Sequence, residues 1–155
     1  KGELPRQHAQ RLAVAKAEAV AGRLGEPAFV LAADTVVACG RRILPKALDR
    51  PTAEACLDLL SGRRHRVLGG VAVVTPEGRC VARVVDTQVH FKRLSASERQ
   101  RYLDAGEWQG KAGGYAIQGW AAAFIPWING SYANVVGLPL VETIGLLEGL
   151  GWRRP

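Results

Sequence analysis

At 155 residues, 48% hydrophobic and with a formal net charge of +7, the chain is sized to bury one core, and its length argues for a single domain. No apolar run reaches the ~20 residues that a membrane helix needs, and no charged-then-apolar leader opens the chain. Cys39, Cys56 and Cys80 show no metal-like spacing and read as reduced thiols of a cytoplasmic protein.

In chain order, Leu12, Ala15, Ala19, Val20 and Leu24 fall at amphipathic spacing and predict a helix over 6–24, closed by Gly25 and Pro27. A buried strand follows over 28–38. Cys39-Gly40-Arg41-Arg42 then turns into the short apolar pair Ile43-Leu44. Thr52 is placed to cap a helix carrying Ala55, Leu57, Leu59 and Leu60, which stops at Ser61-Gly62. Val-rich runs from His65 to Thr75 and from Cys80 to Phe91 flank Pro76-Glu77-Gly78-Arg79 and predict an antiparallel hairpin. Ser95 and Glu98 form a capping box that opens a helix ending near Gly106. A Gly-studded segment over 106–119 precedes a strand-like run, Ala121–Ile128, and a turn at Asn129-Gly130. A last helix from about Pro139 is expected to present Val141, Ile144, Leu147 and Leu150 to the core. With no repeats and no linker, the expected fold class is α/β, one domain over 1–155 with a mixed β-sheet flanked by helices.

One residue breaks its surroundings. Asp34 stands in Phe29-Val-Leu-Ala-Ala-Asp34-Thr35-Val-Val37, where an ionised carboxylate loses water and needs cations, a metal or hydrogen bonds in exchange. An Asp capping a strand end or bonding a neighbouring loop is the plainer alternative. The second informative stretch is Gly110 to Gly119. Its glycines permit close backbone approach to a ligand, Lys111 offers a compact charge for phosphate, and Gln118 offers both a donor and an acceptor for a base edge. Lys16, inside the first helix, and Lys46, after Ile43-Leu44-Pro45, are further cations that could equally be solvated. His65, at the start of a strand beside arginines, could orient a loop or contact substrate, but reads best as a structural histidine. No nucleophile triad or zinc cluster can be assembled, which leaves a carboxylate, lysines and Gly-rich backbone. That set suits phosphoryl chemistry assisted by a hard cation. The scattered arginines could also serve a basic surface that attracts nucleic acid.

Taken together, these stretches resemble the Maf family, the septum-formation-inhibitor-like nucleoside triphosphate pyrophosphatases. The matching pieces, in order, are Ala15-Lys16-Ala17, Leu31-Ala-Ala-Asp34-Thr35-Val-Val37, Ile43-Leu-Pro-Lys46, Leu60-Ser-Gly-Arg-Arg-His65-Arg-Val67, Lys111-Ala-Gly-Gly-Tyr-Ala-Ile-Gln118-Gly119 and Asn129-Gly-Ser-Tyr-Ala-Asn-Val-Val-Gly-Leu-Pro139. The resemblance implies a twisted sheet of the kind shared with inosine triphosphatases, and hydrolysis of a nucleoside triphosphate between its α and β phosphates.

It further implies that Asp34 accepts the proton of the attacking water and lies near a divalent cation, Mg or Mn. Lys16, Lys46 and Lys111 would bind phosphates, and Thr35 and Gln118 would set base choice. Lys111 with Ile117-Gln118-Gly119 resembles the branch acting on dTTP and UTP; the 7-methyl-GTP branch differs around this loop. A homodimer in the cytoplasm, serving nucleotide-pool housekeeping, is the implied setting, and nucleic acid is not the expected partner. The family's opening strand and Ser-x-Ser-Pro-Arg-Arg loop have no counterpart here. With no Met in the chain and Lys1 at its start, upstream sequence is expected to be absent. A catalytically impaired binding protein is the alternative this leaves, and a purine or 7-methyl-GTP enzyme is another.

Overall fold

A computed structural model of the chain describes residues 2–155. The run around Asp34 forms β1 (Val30–Cys39), and a reversal at Gly40-Arg41 returns the chain as β2 (Arg42–Leu44). The two Val-rich runs form β3 (Arg64–Val74) and β4 (Cys80–His90), paired from Arg64↔His90 to Val74↔Cys80. Thr75 closes the turn between them, its hydroxyl accepting from the Arg79 amide at 3.1 Å. With β5 (Trp127–Asn129) these strands make one sheet in the order β2-β1-β3-β4-β5.

The α/β class stands, but the expected mixture of strand directions does not. Every ladder among the described residues is antiparallel. The reason lies in the short β1–β2 reversal: β2 and β3 both run against β1, so the helix between them delivers β3 in the direction β2 had already taken.

The two faces of the sheet are covered in different ways. On one lies α1 (Pro5–Ala21), which buries Ala9, Ala13 and Ala17 against Val30, Val36, Leu68, Ala72 and Val74. This is not the face the larger side chains predicted. Ala15 and Ala19 are exposed, Val20 and Leu24 stay 39% and 45% exposed, and the alanines at every fourth position do the packing. The cause is proximity: a Cβ at Gly70 would overlap the Ala9 carbonyl, so only small residues fit where helix and strand meet.

On the other face α2 (Arg50–Leu60), α3 (Ala96–Ala105) and α4 (Tyr132–Val136) pack Leu57, Leu60, Leu103 and Val135 around Val37, Val67 and Val89. Asp49, not Thr52, caps α2, accepting from the Thr52 amide at 2.8 Å. The Ser95–Glu98 capping box of α3 is present as expected, and that helix ends on left-handed Gly106. The expected strand over 121–128 is instead a 3₁₀ turn, Trp120–Phe124, followed after Pro126 by the three residues of β5. Helix α4 was not foreseen. Its Asn134 is fully buried and donates to Val67 O and Val85 O, joining β3 to β4, and Gly69 lacks the Cβ that would displace it. Helix α5 (Leu140–Gly149) follows, burying Thr143 and Leu147 while Val141 stays 83% exposed. No helix among the described residues is long and apolar enough to cross a membrane, and the three cysteines are free thiols.

Candidate active site

Successive strand residues point to opposite faces, so Asp34 and Thr35 diverge from one backbone position. Asp34, opposite Gly70, faces α1; Thr35, opposite Gly69, faces the side of α4. β2 pairs only with residues 37–39, leaving the outer edge of β1 beside both side chains uncovered by it. A cavity of about 240 Å³ is lined by both residues.

From the first face comes Lys16 of α1, whose Nζ donates to Asp34 Oδ1 at 2.5 Å. The carboxylate side chain is 8% exposed and the lysine 50%, so the ammonium sits at the solvent boundary and supplies the charge that a nearly buried carboxylate requires.

From the second face come two loops tied edge to edge. The Ala47 amide donates to Lys111 O at 3.0 Å, the Gly110 amide to Ala47 O at 2.8 Å and the Gly113 amide to Pro45 O at 3.0 Å, with Lys46 bridged to Ala112. This short ladder brings Lys46 and Lys111, distant in sequence, to the same cavity wall. Gly113 has φ +68, and a Cβ there would stand 2.9 Å from Val37 Cγ1. Glycine is therefore what lets the loop lie against β1. Tyr102 fixes the next residue, its hydroxyl donating to Gly114 O at 2.8 Å.

All six side chains singled out in the sequence, Lys16, Asp34, Thr35, Lys46, Lys111 and Gln118, line this one cavity. Sequence reading passed over Tyr115, Val135 and Val136, which also line it. Tyr115 lay within the Gly-rich stretch and the valines within the last matching motif, but apolar and aromatic residues there carry no chemical signal. His65 is buried, as a structural histidine should be, and burial first, then the nearby His90, pulls its pKa down from 6.5 to about 4. Its Nε2 shares a hydrogen bond of 2.5 Å with the hydroxyl of Tyr115, whose own pKa is pushed up by burial.

Three lysines and one carboxylate line the cavity, an excess of positive charge that favours an anion. A family model for Maf-like proteins matches residues 1–150. The chain belongs to the Maf family. A dTTP/UTP pyrophosphatase of Paramagnetospirillum magneticum is 64% identical over 152 residues, covering 98% of this chain and 80% of that protein. A second, from Rhodospirillum rubrum, is 64% identical over 151 residues, covering 97% and 71%. A third, from Caulobacter vibrioides, is 59% identical over 151 residues, covering 97% and 78%.

The divalent cation that the Maf resemblance implies can be tested against the donors present. Hard cations take oxygen ligands, and Mg²⁺ is commonly held by one or two carboxylates together with substrate phosphates and water. Among the described residues no three His, Cys, Asp or Glu side chains cluster, and Asp34 is the carboxylate of the cavity lining. That donor set fits a cation carried in with a polyphosphate; it does not make a cage by itself.

Proposed function

We propose that this Maf chain is a nucleoside triphosphate pyrophosphatase that converts dTTP and UTP, or modified pyrimidine triphosphates, to the monophosphate and pyrophosphate. The observation that carries the reading is the nearly buried Asp34, ion-paired to Lys16, in one cavity with Lys46 and Lys111. The similarity to dTTP/UTP pyrophosphatases supports the same substrates.

In this reading Asp34 takes a proton from water as the water oxygen bonds to phosphorus, and the α–β anhydride bond breaks with its electron pair leaving on pyrophosphate. Lys16 holds the carboxylate in place through Oδ1, leaving the second oxygen to meet the proton or a cation. Lys46 and Lys111 neutralise phosphate oxygens that otherwise repel the nucleophile. A divalent cation, Mg or Mn, when bound with the triphosphate near Asp34, adds to that neutralisation. Gln118 presents an amide donor and acceptor that match the carbonyl and N–H edge of thymine and uracil, and Thr35 bounds the same cavity.

The setting that goes with this reading is a cytoplasmic homodimer, with residues 1–155 acting as a single domain. Pyrophosphate release from a panel of dTTP, UTP, CTP, GTP and 7-methyl-GTP with Mg²⁺ or Mn²⁺ tests the activity. Release confined to dTTP, UTP and their modified forms is expected. Purine preference would replace the substrate assignment, and no release together with salt-sensitive nucleic-acid binding would replace the enzyme.

A further inference from the structure

We infer that His65 is a positioning residue: through its hydrogen bond to Tyr115 it anchors the Gly-rich loop beyond Gly114 to the sheet and so helps set where Gln118 meets the cavity. The inference rests on the pyrimidine triphosphate reading above and deepens it, because it names a tie that fixes the base-contacting end of the loop.

His65 stands on β3 and is 2% exposed; Tyr115, 50 residues further along the chain, meets its Nε2 at 2.5 Å. The imidazole also packs edge-on against Phe91 at 5.2 Å and Tyr115 at 5.4 Å between ring centroids. A phenylalanine could make both aromatic contacts. The histidine instead leaves Nδ1 buried with no hydrogen-bond partner, an arrangement that costs stability. What the imidazole supplies and a phenyl ring cannot is the bond to the Tyr115 hydroxyl.

The position of Tyr115 explains why that bond matters. It lies between Lys111 and Gln118 in a stretch with no regular secondary structure. The ladder to residues 45–47 and the Tyr102 bond to Gly114 O secure the first half of the loop. Beyond it, Tyr115 is tied to β3 by the His65 bond, Ala116 interacts through its backbone with the Tyr102 hydroxyl, and the Trp120 amide donates to Glu107 Oε2 at 2.8 Å, so the His65 bond is the tie that joins this part of the loop to the sheet. Asp34 and Lys16, carried by β1 and α1, do not depend on it.

The test uses Tyr115→Phe, His65→Phe and the double variant of the intact protein, assayed with dTTP and UTP where all remain folded. Each single variant should raise KM about ten-fold while kcat changes less than about three-fold. The double variant should be no worse than either single one, because both remove the same bond. An unchanged KM in Tyr115→Phe, or effects that multiply in the double variant, would overturn the inference. Amide hydrogen exchange gives a reading independent of turnover: residues 115–119 should exchange about ten-fold faster in Tyr115→Phe, with α1 unaffected. No local acceleration counts against the lock. If the wild-type protein cleaves no nucleotide, the functional reading falls, and exchange alone decides whether His65 holds the loop.

Discussion

The two walls of the cavity are built on opposite principles. The α1 wall holds Lys16 against Asp34 by close packing of alanines on a glycine-bearing strand, where a Cβ at Gly70 would overlap the Ala9 carbonyl. The loop wall holds Lys46, Lys111 and Gln118 by separable polar ties: a backbone ladder, the Tyr102 bond and the Tyr115–His65 bond. Close packing fixes a group rigidly but fails all at once. Polar ties fail one at a time, so the loop wall can be tuned to its ligand without endangering the fold.

That contrast can be broken or sharpened experimentally. The largest expected effect is chemical. Asp34→Asn should lower kcat by about a thousand-fold while dTTP affinity stays within a few-fold, the loss expected of a missing general base. Wild-type-like turnover would remove Asp34 from the mechanism. Next comes Gly70→Ala, whose new methyl must displace the Ala9 carbonyl. It should cost about 3 kcal/mol in denaturant unfolding, as overpacked cores do. A loss below about 0.5 kcal/mol would mean that the α1 wall yields more than its packing allows.

A comparable effect on the loop wall depends on pH. His65 titrates near 4 when folded and near 6.5 when unfolded, so between those values the unfolded chain binds more protons. Its contribution is complete above about pH 6.5 and is lost as pH falls towards 4, a change of about 3 kcal/mol. Unfolding free energies of wild type and His65→Gln, measured from pH 7 to pH 4, should differ by a slope of that sign. Parallel curves would contradict it. The smallest effect is Asp49→Ala, which removes the α2 cap and should cost about 1 kcal/mol without changing KM.

The parts of this account that sequence could supply were those with a local signature. The Val-rich runs and their Pro/Gly turn defined β3 and β4 almost to the residue, and the carboxylate inside an apolar strand marked Asp34 before any neighbour was known. The buried face of α1 was misread because hydrophobic spacing weights large side chains, whereas the contact with Gly70 selects alanine. Thr52 was expected to cap α2 because its side chain can accept a helix amide, but the helix starts earlier, and Asp49 before it takes that role. The direction of β3 against β1 was not legible either, since it follows from how α2 connects β2 to β3. The Tyr115–His65 tie was invisible for the same reason: it joins residues 50 positions apart, and neither one shows that it reaches the other.

The central claim is that Asp34, Lys46 and Lys111 surround the phosphates of a bound pyrimidine nucleotide. Its most direct test is a crystal structure of the protein with Mg²⁺ and the non-hydrolysable α,β-methylene analogue of dTTP. The account predicts phosphate oxygens in contact with the ammonium groups of Lys46 and Lys111, the α-phosphate facing the Asp34 carboxylate, and the thymine beside Gln118. A nucleotide seated elsewhere, such as the groove beside Trp120 and Phe124, with this cavity holding only solvent, would contradict it.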